Sequence, residues 1–312
     1  MRAFVFPGQG AQTIGMGKAL AEAYPAAKAV FDEVNDALNE DLSGLIWDGD
    51  IETLTLTRNA QPALMATSLA AVRALATEGV HIHDASFVAG HSLGEYSALA
   101  AAGAFSVADT ARLLRIRGTA MQEAVPVGVG AMAALLGLGF DDAQAVAEEA
   151  AQGEVCQAAN DNDPSQVVVS GHKAAVERAL VIAKEKGAKR AVLLPVSAPF
   201  HCALMSPAAQ VMADALADVT IAEPTVPVVA NVLAAGVTDP AEIRKLLIAQ
   251  VTASVRWRES VGYMAANGVT EVFEVGAGKA LSGMIKRIDR DLATAAIATP
   301  DDVAAVATAI NT

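Results

Sequence analysis

The sequence predicts an α/β fold: a mainly parallel sheet flanked by helices, with a smaller α+β subdomain inserted. Three observations predict it. At both ends of the chain, short apolar runs alternate with longer stretches of helical periodicity. In the middle, over 130–196, the rhythm becomes strand, helix, strand, strand, helix, strand. The 312 residues are 53% apolar but only 4% aromatic and 18% charged, as expected for alanine-rich helices packed on a sheet and not for a disordered chain.

Taken in order, residues 2–6 read as a buried strand. Gly8, Gly10, Gly15 and Gly17 follow it as a flexible loop. Residues 18–38 form one helix, with Leu20, Tyr24, Ala27, Val30, Phe31 and Val34 at helical spacing. Gln61-Pro62 opens a helix to about Thr77, with proline in its first turn. Residues 86–89 are a strand ending at Gly90-His91-Ser92-Leu93-Gly94, and a helix follows to Ala102. Ser106 caps a helix that runs to about Glu123. Strands over 130–138, 155–159, 166–170 and 191–196, with helices over 141–151 and 173–186, give a β-α-β-β-α-β order, the ferredoxin-like pattern. A strand over 269–275 and a helix over 279–289 belong to the final alternation. The expected division is a large α/β domain of 1–126 and 197–312 carrying a small subdomain of 127–196.

The net charge is −13. Such a balance disfavours nucleic acid and anionic membrane surfaces as partners. Two cysteines, Cys156 and Cys202, make neither a disulfide framework nor a zinc site by themselves. The opening apolar run breaks at Pro7-Gly8, short of a signal-peptide core, and no run approaches the ~18 apolar residues of a membrane span. The expectation is a soluble cytoplasmic protein, with a monomer as the simplest state.

Gly90-His91-Ser92-Leu93-Gly94 is a G-x-S-x-G between a strand and a helix. A serine nucleophile on such a turn needs small neighbours, and the N-terminus of the following helix aims N–H groups at an oxyanion. A purely structural turn is the alternative. Of five histidines, His201 lies in a proline-held segment after a strand, which suits an aimed base as well as an ordinary loop residue. Chain order Ser then His matches the α/β-hydrolases, although no acid between them stands out. Arg117 sits inside the apolar stripe of Leu113, Leu114, Ala120 and Met121. Its charge must find an anion: a protein carboxylate in a buried salt bridge, or a substrate carboxylate held bidentately. Gly8-Gln9-Gly10 after the first strand lacks the third glycine of a dinucleotide fingerprint. Glu95 suits the helix dipole, and Cys202 reads as a buried thiol.

Jointly these motifs resemble the malonyl-CoA:acyl carrier protein transacylase family. They are Phe-Pro-Gly-Gln-Gly-Ala-Gln at 6–12, Gly-His-Ser-Leu-Gly-Glu-Tyr-Ser-Ala-Leu at 90–99, Arg-Gly-x-x-Met-Gln at 117–122 and Pro-Phe-His at 199–201. Asn160-x-Asn162-x-Pro164-x-Gln166-x-Val168 and Gln250 fit as well, so the resemblance spans nearly the whole chain. It implies an α/β-hydrolase-like core with a ferredoxin-like insert. It also implies Ser92 as nucleophile, His201 as base, and a main-chain carbonyl at Gln250 orienting the imidazole in place of an aspartate. The backbone N–H groups of Gln9 and Leu93 become the oxyanion hole, and Arg117 the clamp on the malonyl carboxylate. Asn160, Asn162 and Phe200 become substrate-binding residues, the bulk of Phe200 favouring malonyl over methylmalonyl. The implied reaction is ping-pong transfer of malonyl from malonyl-CoA to acyl carrier protein for fatty-acid synthesis, with no metal or other cofactor. A carrier that is itself acidic needs a local basic patch. Lys189 and Arg190 (near Lys184 and Lys186), with Lys286 and Arg287, are the candidates.

Overall fold

The structure is a computed structural model and describes residues 1–196 and 198–311. Ser197, the first residue of the second stretch expected for the large domain, and the terminal Thr312 lie outside the described residues. The described strands, in chain order, are β1 (Arg2–Phe6), β2 (Phe87–Gly90), β3 (Gly130–Leu136), β4 (Cys156–Asp163), β5 (Gln166–His172), β6 (Arg190–Leu193), β7 (Val228–Ala230), β8 (Ala235–Val237), β9 (Glu271–Val275) and β10 (Ala293–Ile297). They form two sheets. One has the order β10-β9-β1-β2-β7-β8, parallel throughout except for the terminal β7–β8 hairpin. The other has the order β4-β5-β3-β6 and is antiparallel.

In the parallel sheet, β1 alternates faces as strand geometry requires: Phe4 and Phe6 join one hydrophobic cluster, Ala3 and Val5 the other. Helix Thr57–Thr77 is the spine of the first cluster. Ala60, Ala63, Ala66, Ala70, Ala71 and Ala74 are wholly buried there. Alanine at these positions keeps helix propensity high and lets neighbouring helices approach. The antiparallel sheet has a core of its own, in which Leu135, Val167 and Val169 meet Val146, Ala147, Val176 and Ala179 of its two helices. Its strand order is that of a ferredoxin-like unit.

Two helices differ from expectation, both because of proline. Residues 18–38 form two helices, Lys18–Ala23 and Pro25–Leu38. Pro25 excludes helical backbone at the residue before it, and Tyr24 is extended (φ −125°, ψ 111°). The helix expected to open at Gln61-Pro62 begins at Thr57, leaving Pro62 inside it. Proline has no N–H to offer the carbonyl of Arg58; that oxygen accepts a 2.7 Å bond from Arg115 Nη1 instead. β4 also runs on to Asp163, past the expected 155–159.

The topology itself places the loops of interest. β1 has β9 on one side and β2 on the other, and Phe6 stands opposite Gly90. The glutamine-glycine loop after β1 and the serine turn after β2 therefore leave the same edge of the sheet, side by side. Crevices at such points are where open α/β sheets bind ligands.

Candidate active site

The turn after β2 is as tight as its glycines suggest. Ser92 has φ 54°, ψ −110°, a conformation that L-residues rarely adopt. A Cβ on Gly90 would lie 1.9 Å from the carbonyl of Gly94, and one on Gly94 would lie 2.3 Å from the Phe6 oxygen. Both glycines are required by close approach of backbone to backbone, across the turn and against β1. Helix Leu93–Ala101 starts immediately after the serine.

His201 is brought to Ser92 from the segment after β6. It is 4% exposed, and its Nε2 lies 2.8 Å from Ser92 Oγ. Its Nδ1 lies 2.9 Å from the main-chain oxygen of Gln250, the last residue of helix Pro240–Gln250. A carbonyl oxygen can only accept, so Nδ1 carries the ring proton and Nε2 presents a lone pair to the serine hydroxyl. Burial, followed by the charge of Arg117, pushes the His201 pKa down to about 3, which keeps the imidazole neutral near pH 7. The arrangement can move a proton from Oγ to Nε2.

Arg117, on helix Val107–Glu123, is 1% exposed and forms no ion pair among the described residues. The buried salt bridge left open by the sequence is not what the structure contains. Nη1 donates to Gln61 Oε1 (2.7 Å), and Nη2 donates to Gln250 Oε1 (2.8 Å) and Ser92 Oγ (3.1 Å). The guanidinium carbon stands 5.6 Å from the ring centre of Tyr96, and Nε has no hydrogen-bond partner among the described residues. Desolvation lowers the Arg117 pKa, and Tyr96 and Glu95 oppose it. Amide dipoles, a hydroxyl and a π face hold this cation, leaving it able to take a ligand carboxylate.

These groups line a cavity of about 430 Å³. Gln9, Leu93, Asn160 and Phe200 line it with Ser92, Arg117 and His201, and Met121, Met132, Leu194 and Val196 make its wall apolar. Gln9 Oε1 is held by the Thr57 hydroxyl. Asn162 is not in this wall: its Oδ1 meets His91 Nε2 at 2.8 Å. Cys202 is buried, its Sγ donating to the Pro199 oxygen at 3.2 Å, and it does not line the cavity. Among the described residues, no group of three His, Cys, Asp or Glu side chains is placed to hold a metal ion.

The basic candidates are partly engaged. Lys184, Lys189 and Arg190 are exposed, and Lys186 pairs with Glu149 at 2.7 Å. Lys286 Nζ donates to the Leu292 carbonyl. Arg287 is not a free cation: its Nε binds the fully buried Asp163 at 2.7 Å. No helix among the described residues is long and apolar enough to cross a membrane.

Two contributors, Gln61 and Asn231, were not legible as site residues, and Gln250 was expected only through its main-chain carbonyl. Gln61 meets Arg117, and the Gln250 side chain meets Arg117, Glu95 and the Ser92 carbonyl. Asn231, just after β7, accepts from Ser92 N at 2.8 Å. Glu95 was placed on helix-dipole grounds alone. It is 2% exposed, and burial pushes its pKa up to about 7 against the bonds it accepts from Asn231 and Gln250. Glutamines and asparagines carry no charge pattern that would single them out; only their position after β7 and at a helix end does so.

The acyl transferase domain family matches residues 3–277. The malonyl CoA-acyl carrier protein transacylase of Escherichia coli (strain K12) is 49% identical over 303 residues, 97% of each chain. The crystal structure of acyl-carrier-protein-S-malonyltransferase from Bartonella henselae superimposes with a TM-score of 0.97 at 53% identity, covering 100% of this chain and 99% of that one. A structure of a malonyl-transacylase in complex with its type II PKS acyl-carrier protein has a TM-score of 0.96 at 42% identity, covering 99% of both chains.

Proposed function

The chain belongs to the acyl transferase domain family, among the malonyl-CoA:acyl carrier protein transacylases, and is an acyltransferase; from this we propose that it carries malonyl from malonyl-CoA to an acyl carrier protein through a malonyl ester on Ser92. The observation that carries the reading is a hydroxyl bonded to a neutral, carbonyl-oriented imidazole, beside a buried guanidinium with no carboxylate partner among the described residues.

In the first half-reaction Ser92 Oγ attacks the thioester carbonyl while His201 Nε2 takes the hydroxyl proton. The C–S bond breaks, and the leaving CoA sulfur recovers that proton from His201. In the second half-reaction the carrier's phosphopantetheine thiol gives its proton to His201 and attacks the ester. The C–O bond breaks, and Ser92 regains the proton. The N–H groups of Leu93 and Gln9 receive the oxyanion, since Ser92 N is already given to Asn231. Arg117 binds the malonyl carboxylate by redirecting N–H bonds now spent on Gln61, Gln250 and Ser92. An acetyl group offers it no anion. Asn160 and Phe200 border the acyl group. No metal or other cofactor enters these steps. In this reading the large part, 1–126 and 197–312, and the insert, 127–196, enclose the ester between them, and the dry wall of methionines and leucine keeps water from it.

The test is the mass of the intact protein, with and without its serine, after brief exposure to malonyl-CoA. Wild type gains one malonyl group, located on Ser92 by peptide mapping, and releases it to added carrier; Ser92→Ala gains none. Equal labelling of both proteins would end the proposal.

A further inference from the structure

The serine turn is strained, and something has to hold it. β7 is the parallel neighbour of β2, with Val88 opposite Val228 and Ala89 opposite Val229. This register carries Asn231, the residue after β7, alongside the turn after β2. Asn231 is fully buried. Its side-chain amide spans the turn: Oδ1 accepts from Ser92 N at 2.8 Å, and Nδ2 donates to Gly90 O at 2.7 Å. Its own backbone is tied down on both sides, N to Glu95 Oε2 at 3.0 Å and O from Arg256 N at 3.0 Å.

We propose that Asn231 is the positioning residue of this enzyme, an amide bridge from Gly90 O to Ser92 N that holds the strained serine backbone where Oγ meets His201. The inference rests on Ser92 being the nucleophile. Only an amide fits the two bonds at once, because one end must accept and the other must donate. Without it, a buried N–H and a buried carbonyl lose their partners, and the turn at φ 54° keeps only the Gln250 amide on the Ser92 carbonyl as a side-chain hold. Displacement of a nucleophile by about 1 Å costs on the order of 10²-fold in rate. Asn231 does not line the cavity, so its loss acts on the chemical step and not on malonyl-CoA binding.

Asn231→Asp has the same shape and separates positioning from mere packing. As a carboxylate it still accepts from Ser92 N, but its second oxygen faces the Gly90 carbonyl, acceptor against acceptor. Once protonated it can donate there, and the bridge is restored. The charged and titratable groups around it are Glu95 on its backbone N–H, Arg117 and His201 at Ser92, His91 within the turn, and Arg256, whose Nη1 reaches the Val232 carbonyl. Burial and Glu95 both raise the pKa of a carboxyl at this position. Wild type assayed alongside removes the titration of groups not coupled to residue 231; Glu95, pushed up to about 7 and bonded to the backbone there, is coupled, so the ratio is also read in a Glu95→Gln background.

The experiment is single-turnover malonylation by malonyl-CoA from pH 8 to pH 5.5, with folding checked by circular dichroism. At pH 8, Asn231→Asp is expected to be about 10²-fold slower than wild type. The ratio of variant to wild-type rate should rise as pH falls, and KM for malonyl-CoA should stay within about twofold. Asn231→Ala is expected to be similarly slow with a ratio that does not change with pH, and it carries the test if the aspartate variant does not fold. A wild-type rate in either variant, a loss confined to KM, or a pH-independent ratio for a folded Asn231→Asp overturns the role of Asn231. Absence of malonyl on Ser92 in wild type itself overturns the proposed function instead.

Discussion

Arg117 and Arg287 are both helix-borne arginines, and the two regions around them treat charge in opposite ways. Arg117 is 1% exposed and is held by neutral groups, with no carboxylate bound to it. Arg287 lies at the surface, its side chain 48% exposed, yet binds a carboxylate, Asp163, that is wholly buried. In the first region the cation has surrendered its water and is met by neutral groups. In the second the cation serves a buried acid, and its charge is largely spent. A count of basic residues on this acidic chain therefore says little about where anions bind; the partner of each cation decides it.

The sharpest way to break this contrast is Arg117→Ala. Two charge-assisted hydrogen bonds to a carboxylate, at about 1.5–3 kcal/mol each, predict a loss of roughly 10³-fold in kcat/KM for malonyl-CoA. The acetyl-CoA rate should change far less. Competition between the two thioesters measures this, and an unchanged malonyl preference would show that the buried cation serves the fold alone.

The interior also predicts a pH response. His201 has its pKa held at about 3, below the ordinary 6.5. The unfolded chain therefore binds more protons than the folded one below pH 6.5, and stability falls as pH drops from there toward 3. At pH 5 the His201 contribution is about 2 kcal/mol, to be read as the difference between wild type and His201→Asn in urea unfolding at pH 7 and pH 5. In the same window His201 should contribute no inflection at 6.5 to the acylation of folded wild type. An acid limb centred there that persists in Glu95→Gln, which removes the other group titrating near 7, would mean that the imidazole titrates as it does in water.

The smallest effect is expected at the rim. Reversing charge at Lys189 and Arg190, both exposed and without an ion pair among the described residues, should raise KM for the carrier by about tenfold or less, because exposed pairs contribute about 0.2–1 kcal/mol each. The change should fade at high salt and leave KM for malonyl-CoA alone. Arg287→Ala should differ in kind and lower thermal stability, since it strands Asp163. A carrier defect in Arg287→Ala with unchanged melting would erase the distinction between the two faces.

Much of this site was legible because strong constraints leave marks on the chain. Backbone packed so close that an added Cβ would fall 1.9–2.3 Å from its neighbour admits only glycine, so Gly90 and Gly94 flag the turn around Ser92. An arginine in an apolar stripe is visible at helical spacing. The antiparallel insert was readable because its strands are short, one of them (β5) carries a β-branched run, and two clear helices separate them. Proline caused the helix misreadings: Pro25 and Pro62 have the same local chemistry, yet one breaks a helix and the other sits inside one. The difference is Arg115, a residue 57 positions from Arg58, whose carbonyl Pro62 leaves free.

By itself, then, the sequence determined the alternation of elements, the strained serine turn, the buried cation and a family resemblance that the relatives bear out. These are properties of neighbouring residues, set by backbone sterics and periodicity. Only the tertiary structure decided what those residues meet. Parallel pairing of β1, β2 and β7 brings Gln9, Ser92 and Asn231 to one edge. A helix end sets the Gln250 carbonyl on His201, and Arg117 finds amides where an acid was one expectation. Contacts between residues 49 to 139 positions apart depend on sheet register and helix packing, and no local rule along the chain contains them.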